Sequence, residues 1–373
     1  MKNILSIIIN FFFRRFKIQK KILFQSQKNL TDGCPLAIYK YMKENNINDY
    51  KLVWIVEKGT DTSLINNDEY AFYRTFKALY HQATAKYWVR SQSYGSIIKK
   101  RKEQSYIQVW HGNGPFKRMG YDIKNDKDRP QLEHTKEWDF FVANSESDKS
   151  IIKSSTGYNG KFYILGAANL DYIMKNSHDK KYRKDILKKL NIKDDSKKIV
   201  LYAPTFRDFD LDKEIVNIPI KKLKNLSDYI IIVRLHPWVR EKVDKTIFSD
   251  NIINGCDYPD VEDLLSVSDI LITDYSSVCF QFAILNRPVL FYPYDYDKYV
   301  EIRGGFYIDY KKDLPGPICY NEEQLYDNLD NIEDTFKKYK DKMEKFNKKY
   351  NKYLDGQSCK RFIEALYNGD FDK

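Results

Sequence analysis

The sequence predicts an α/β protein built from two doubly wound units, each a mostly parallel sheet covered by helices. Three observations carry that prediction. Short apolar runs alternate with polar, helix-patterned stretches along almost the whole chain. The runs fall into two series separated by a strongly charged stretch, and residues suited to anions stand just after the predicted strands, where open parallel sheets bind ligands. The length, 373 residues, suits two domains with separate cores.

At the N-terminus, Ile4 to Phe13 is an apolar run of about ten positions, well short of the roughly 20 that a membrane-spanning helix needs. Arg14 and Arg15 stand where a secretory cleavage site requires small residues. Over residues 1–21 the spacing predicts an amphipathic helix. Asn3, Ser6, Asn10, Arg14, Lys17 and Lys21 mark its polar face, and Ile4, Leu5, Ile8, Ile9, Phe12 and Phe16 its apolar one. With Lys20 adding charge, the pattern suits peripheral docking on the cytoplasmic face of an anionic cell membrane. Packing on the protein's own body satisfies it equally.

In the first series the predicted strands are Lys51–Val56, Ile107–Trp110, Phe140–Ala143 and Phe162–Leu165. In the second they are Ile199–Ala203, Ile230–Leu235, Ile270–Thr273 and Val289–Tyr292, rich in β-branched and aromatic residues. The charged stretch from His178 to Lys198 reads as the linker, so the expected domains are residues 22–190 and 191–350. Apolar residues from Leu325 to Tyr350 recur at alternating four and three, a helical stripe expected to pack on the second domain. Residues 351–373 are expected to form a closing helix.

Composition excludes several classes. Charged residues make up 31% and hydrophobic ones 42%, with few Gly and Pro, which argues against a disordered chain. The five cysteines are far apart with no Cys-x-x-Cys pair, so they read as reduced packing residues in a cytosolic protein. The net charge of +11 favours anionic partners without choosing among them. There is no Gly-rich nucleotide fingerprint, nucleophile elbow or His-Glu-x-x-His helix. The tyrosines are scattered with Lys and Asn, unlike a nucleic-acid stacking platform.

Four segments at strand ends can carry chemistry. After Ile107–Trp110 come His111, Gly112 and Gly114, with Lys117 and Arg118 close behind: a base beside an anion site, or a turn with a structural histidine. Arg234 and His236 end another strand, where alternation sets a permanent cation and a titratable donor on one side. Asp274, Ser276 and Ser277 link a buried strand to a helix starting at Val278, an arrangement that can cradle a diphosphate or simply cap the helix. Pro204, Thr205 and Arg207 follow Tyr202 and offer a hydroxyl and a guanidinium to the same crevice. Arg303, before Gly304, could reach a phosphate, although a surface arginine is the commoner outcome. His81, His134 and His178 lie in polar contexts and read as solvated or structural.

The order and spacing of these pieces resemble the CDP-glycerol glycerophosphotransferases of teichoic-acid and capsule synthesis. The resemblance covers about residues 22 to 366. It rests on Gln108-Val109-Trp110-His111-Gly112 with Lys117, Tyr202-Ala203-Pro204-Thr205-Phe206-Arg207, Arg234-Leu235-His236-Pro237, Thr273-Asp274-Tyr275-Ser276-Ser277, Asn286-Arg287-Pro288-Val289, Tyr294-Asp295, Arg303-Gly304 and Asp355-Gly356-Gln357-Ser358. It implies a GT-B-type fold of two facing Rossmann-like domains with a cleft between them, the first on the acceptor side and the second binding the CDP-polyol.

The implied reaction moves glycerol phosphate from CDP-glycerol to a hydroxyl of a lipid-linked or growing glycan, releasing CMP. His111 becomes the general base, His236 with Arg234 stabilises the diphosphate and departing CMP, and Ser276 and Ser277 cradle phosphate. Gly112, Lys117, Pro204, Thr205, Arg207, Asp274 and Arg303 complete the expected substrate contacts. Neither a cofactor nor a divalent metal is demanded by the sequence, and no nucleic-acid partner is expected. One departure stands out: where family members commonly carry Gly-x-Pro-Arg-x-Asp, this chain reads Gly166-Ala167-Ala168-Asn169-Leu170-Asp171. That substitution keeps CDP-ribitol open as a donor. A nucleotide-sugar glycosyltransferase on the same fold and a non-catalytic polyanion-binding protein are the rival readings.

Overall fold

The computed structural model describes residues 2–27, 31–66, 69–92, 96–110, 114, 116–123, 133–207, 228–236, 239 and 245–373. In chain order the first elements are α1 (Lys2–Phe13), β1 (Gln19–Gln25), α2 (Gly33–Glu44), β2 (Lys51–Val56), β3 (Tyr70–Phe72), α3 (Phe76–Thr84), β4 (Ala85–Arg90), β5 (Ser105–Gln108), β6 (Phe140–Ala143), α4 (Glu146–Thr156), β7 (Lys161–Ile164) and α5 (Ala168–Asn176). Then come α6 (Lys180–Lys189), β8 (Lys198–Tyr202), β9 (Tyr229–Val233), β10 (Ile252–Asn254), α7 (Val261–Val267), β11 (Ile270–Thr273), α8 (Val278–Ala283), β12 (Val289–Phe291), α9 (Tyr296–Arg303), α10 (Glu322–Asp330), α11 (Ile332–Tyr350) and α12 (Ser358–Tyr367).

These elements make two compact units. The first comprises Met1–Gly112, Arg129–Tyr172 and Asp355–Lys373, the second Asn113–Asp128 and Ile173–Leu354. The chain passes between them inside α5, at Tyr172/Ile173, and not near residue 190. The charged stretch there is no linker. Its helix α6 buries Ile186 and Leu187, and Arg183 pairs with Asp269 at 2.8 Å beside β11, so its lysines mark a solvated helix face.

The first unit is a seven-stranded sheet, ordered β3-β2-β1-β4-β5-β6-β7 with every neighbour parallel. The order reverses between β1 and β4, which makes their carboxyl ends its topological switch point. β2 and β6 coincide with their sequence-derived bounds, and β5 and β7 are shifted by one or two residues. The central strands β1 and β4 are absent from the sequence reading because polar residues interrupt them. Lys21 of β1 is fully buried and is accommodated by donating to Thr84 Oγ1 at 2.6 Å, with His81 Nδ1 3.2 Å away. Burial lowers the pKa of both, Lys21 to about 8 and His81 to about 4.

The predicted helix over 1–21 is shorter than expected. It ends at Phe13, and Lys21 lies inside the sheet and not on a polar helix face. Asn10, also assigned to that face, is buried: its amide donates to Ile97 O at 2.8 Å and its carbonyl accepts from Lys99 N at 2.7 Å. Phe13 packs with Leu79, Ala83 and Ile98, while Ile7, Ile8, Phe11, Phe12 and the neighbouring Phe76 remain exposed. Among the described residues, no helix is long and apolar enough to cross a membrane.

The first unit is completed by the chain's end. Arg361 of α12 donates to Leu165 O at 2.8 Å, Cys359 N to Asp171 at 2.7 Å, and Phe371 is buried against Phe140 and Tyr163. Gly166 at φ +87° lets the backbone approach Ser358 so closely that a Cβ would lie 2.3 Å from its hydroxyl.

The second unit is a five-stranded parallel sheet, β10-β9-β8-β11-β12, whose switch point falls between β8 and β11. Every residue of β9 and β11 is buried, as expected for strands covered on both faces. Val200, Ile231, Val233, Ile272 and Leu290 pack with Leu325, Leu329 and Ile332 of α10 and α11 on one side. The apolar stripe is thus two helices. Asn331 ends α10 and starts α11, whose Met343, Phe346 and Tyr350 are buried, with Phe346 stacked on Phe280 at 4.9 Å.

Candidate active site

The second unit's switch point gathers most of the residues singled out in the sequence. Past β8 the chain runs Ala203-Pro204-Thr205-Phe206-Arg207; past β11 it runs Asp274-Tyr275-Ser276-Ser277. Thr273 Oγ1 donates to Ala203 O at 2.7 Å and Thr205 N to Asp274 Oδ1 at 2.8 Å, which fastens one loop to the other.

Arg207 is the brace of this region. Its Nε and Nη2 donate to the two oxygens of Asp295 at 2.7 and 2.8 Å, and Nη1 pairs with Asp274 Oδ2 at 2.8 Å while donating to Thr205 O at 2.6 Å. Tyr275, Tyr294 and Tyr299 surround the guanidinium, with ring centroids 4.9 to 5.2 Å from its carbon. Burial disfavours the cation, yet Asp274 and Asp295 outweigh it and hold the pKa above its ordinary value. Asp274, 1% exposed, spends its other oxygen on Thr205 N and Tyr275 N. Arg207 and Asp274, expected to meet the substrate, are therefore turned to each other and to the loops, an arrangement that fixes the strand ends rather than offering them to a ligand. Asp295, which the sequence offers only within the Tyr294-Asp295 pair and not as a site residue, stands two residues past Pro293, just beyond the end of β12.

His236 follows β9. Its ring lies on Phe206, centroids 4.3 Å apart at 35°, and its pKa is pushed down to about 4 by burial and by the charges of Lys117 and Arg234. It is therefore a neutral imidazole at pH 7, in a setting where the positive charge of Lys117 and Arg234 favours an anion. Arg234 Nη1 donates to the carbonyls of Gly255, Cys256 and Tyr258 at 2.8, 2.8 and 2.6 Å, anchoring the end of β9 to the turn beyond β10.

Lys117 reaches this unit from a segment remote in sequence. It pairs as an antiparallel bridge with Phe306, Tyr307 N donates to Phe116 O at 3.1 Å, and Arg118 N to Gly305 O at 3.3 Å. Phe116 packs edge-on against Phe280, Phe306 and Tyr310. Gly114, at φ +65°, passes so near Phe280 that a Cβ would sit 3.1 Å from its ring. Arg303 is half-buried at the end of α9, just before the Gly304-Gly305 pair, both at positive φ, that leads into this bridge.

Ser276 and Ser277 are half-exposed between β11 and α8, which spans six residues. Ser276 Oγ accepts weakly from Val278 N at 3.4 Å, and Ser277 makes no side-chain cap. Pro204 and Thr205 are also half-buried. His111 and Gly112 lie outside the described residues. Asn169, the departure from the family pattern, is buried in the first unit, where its Oδ1 accepts from Cys34 Sγ at 3.3 Å.

Comparison with known proteins places the chain in a family and a fold. The family model described as CDP-glycerol:poly(glycerophosphate) glycerophosphotransferase matches residues 7–368. The chain is 33% identical over 351 residues to a teichoic acid glycerol-phosphate transferase of Staphylococcus aureus, covering 89% of each protein. It is 33% identical over 371 residues to a teichoic acid poly(glycerol phosphate) polymerase of Bacillus spizizenii, covering 93% of this chain and 92% of that one. A solved structure of the wall teichoic acid polymerase TagF shares the fold with a TM-score of 0.86 and 27% identity, over 99% of this chain and 94% of that chain.

Proposed function

The chain belongs to the CDP-glycerol:poly(glycerophosphate) glycerophosphotransferase family, and from that premise we propose that it transfers glycerol phosphate from CDP-glycerol to a hydroxyl of a growing teichoic-acid-type glycan, with CMP as the other product. The observation that carries the site-level reading is the half-buried His236 ring on Phe206 at the end of β9, where Lys117 and Arg234 add positive charge. Burial is the main cause that keeps the imidazole unprotonated, and a diphosphate docked there would offset the added charges of Lys117 and Arg234 and so raise the basicity of His236. The residue can then donate a hydrogen bond to the bridging or α-phosphate oxygen as charge builds on the leaving CMP.

In the proposed step the acceptor oxygen attacks the glycerol-bearing phosphorus. A new P–O bond forms there, the P–O bond to CMP breaks, and His111 takes the hydroxyl proton. In-line positioning and charge neutralisation do most of the work in such transfers. Lys117, Arg303 and the hydroxyls of Ser276 and Ser277 supply phosphate contacts, with Pro204 and Thr205 lining the loop beside them. Arg207 and Asp274 act as positioning residues that hold the loops bearing those groups. Asn169 faces Cys34 inside the first unit and gives no reason to prefer a ribitol donor.

The lipid-linked nature of the acceptor and the enzyme's place at the cytoplasmic face of the cell membrane belong to the same proposal. Its support is the exposed apolar surface of Ile7, Ile8, Phe11, Phe12 and Phe76, bordered by exposed Arg14, Arg15, Lys17 and Lys20. The functional test offers the purified enzyme CDP-glycerol, CDP-ribitol, and UDP- and GDP-sugars with a synthetic glycerol-phosphate oligomer. CMP release from CDP-glycerol is expected; turnover of nucleotide sugars alone would end this reading.

A further inference from the structure

The first unit carries a second polar constellation at the carboxyl end of its own sheet. β1, β4 and β5 are adjacent, and their register sets their last residues in one row, Gln25↔Arg90↔Gln108. The row straddles the point where the strand order reverses, the place where open parallel sheets bind ligands. All three side chains are buried, with exposures of 4%, 0% and 0%.

Among the described residues, the partners of this row are missing. Arg90 lies over the rings of Trp88 at 4.5 Å and Tyr106 at 5.1 Å, yet its Nε, Nη1 and Nη2 have no hydrogen-bond acceptor. On one side of it Gln108 Nε2 lacks an acceptor; on the other, Gln25 Oε1 lacks a donor. Gln108 is oriented, because its Oε1 accepts from Trp110 N at 3.0 Å, and Trp110 holds a left-handed φ of 57° at that point. A buried cation without a counter-charge is among the costliest arrangements a fold can keep. Stacking on two rings fixes the guanidinium plane but satisfies none of its N–H groups.

We propose that this row is an oxyanion site for a hydroxyl-bearing phosphate ester, and that its occupant is the terminal glycerol phosphate of the acceptor. The donor count selects the class. The Arg90 fork and the Gln108 amide donate to phosphate oxygens, and Gln25 Oε1 accepts from a ligand hydroxyl. A neutral sugar lacks the charge, and a hydroxy acid offers the arginine fork and the amide fewer anionic oxygens than a phosphate ester does. Assigning the acceptor to this site, in preference to the donor, rests on the function proposed above. The donor groups named there lie in the second unit, whereas Gln108 stands three residues before His111 in the sequence.

The test uses the full chain without CDP-glycerol, titrated calorimetrically with sn-glycerol 3-phosphate, inorganic phosphate and glycerol. Glycerol 3-phosphate is expected to bind saturably, phosphate more weakly and glycerol not at all. Arg90→Met should weaken glycerol 3-phosphate at least tenfold while leaving CDP-glycerol affinity unchanged, and should not lower the melting temperature of the free protein. Gln25→Leu should weaken glycerol 3-phosphate but not inorganic phosphate, and serves if Arg90→Met does not fold. With a di(glycerol phosphate) acceptor, Arg90→Met should raise the KM for acceptor and not that for CDP-glycerol; an unchanged acceptor KM would assign the site to free glycerol phosphate and overturn the acceptor assignment. Equal binding by the native and Arg90→Met proteins, or no saturable binding at all, would overturn the site. These binding arms need no turnover, so a native enzyme that releases no CMP defeats the functional reading separately.

Discussion

Arg207 binds both carboxylate oxygens of Asp295, at 2.7 and 2.8 Å, and through that pair joins the loop after β8 to the start of α9. Removing one partner strands the other in a buried site. Asp295→Ala is expected to destabilise the protein by about 3–5 kcal/mol. Arg207→Lys keeps the charge but loses the planar fork, and should cost less than the deletion while weakening CDP-glycerol binding. Urea unfolding and titration of the donor measure the two effects; an Asp295→Ala protein as stable as the native one would remove Arg207 from its bracing role.

His111→Ala and His236→Ala should each lower transfer by roughly 100-fold or more, with far-UV circular dichroism unchanged. The two should differ in kind. Loss of His236 is expected to weaken CDP-glycerol binding, whereas loss of His111 should leave donor affinity intact and depress turnover. Retained transfer in either variant would contradict the proposed roles.

Acid should destabilise the free protein in a defined window. His81 and His236 have folded values near 4 against an ordinary value near 6.5. Between those values the unfolded chain takes up protons that the folded protein refuses. Stability is therefore full above about pH 6.5 and falls as pH drops toward 4, by at most about 1.4 kcal/mol per pH unit for each group. Melting curves from pH 7 to 4.5 should show this slope, and His236→Gln should make it shallower. Lys117→Met removes one of the positive charges that hold the His236 pKa down, so its imidazole resonance should titrate at higher pH; no upward movement would break the link between Lys117 and His236.

Substituting Phe11→Glu with Ile8→Glu places charge on exposed positions that pack against nothing in the core. The protein should fold normally and lose co-sedimentation with anionic vesicles. Deleting residues 1–20 is the poorer test, because it removes Phe13 and Asn10 from the first unit and enters β1. Undiminished vesicle binding by the double variant would reject the docking surface.

Strand ends were legible from sequence wherever a run of β-branched residues led up to them, which is why the loops after β8, β9 and β11 could be singled out. β1 and β4 escaped because buried Lys21, Gln25 and Arg90 break the apolar pattern that betrays a strand. Two of these, Gln25 and Arg90, belong to the row at the first unit's switch point, so part of the signal that hid the strands also marks the site. Arg207 and Asp274 read as substrate contacts in the sequence, because a lone sequence gives no means of knowing that each is the other's partner. The contribution of Phe116 and Lys117 to the second unit was likewise invisible, since it depends on packing with Phe280 and Phe306, far along the chain.

The closing of the first unit by α12 has a consequence for how the protein comes into being. Phe371, Arg361 and Cys359 are synthesised after every other segment of the first unit, and they fill contacts on residues made roughly 200 codons earlier. Vectorial folding cannot complete the first unit before the second has been synthesised: the nascent N-terminal sheet waits, with an open seam beside β6 and β7, until residues 355–373 emerge.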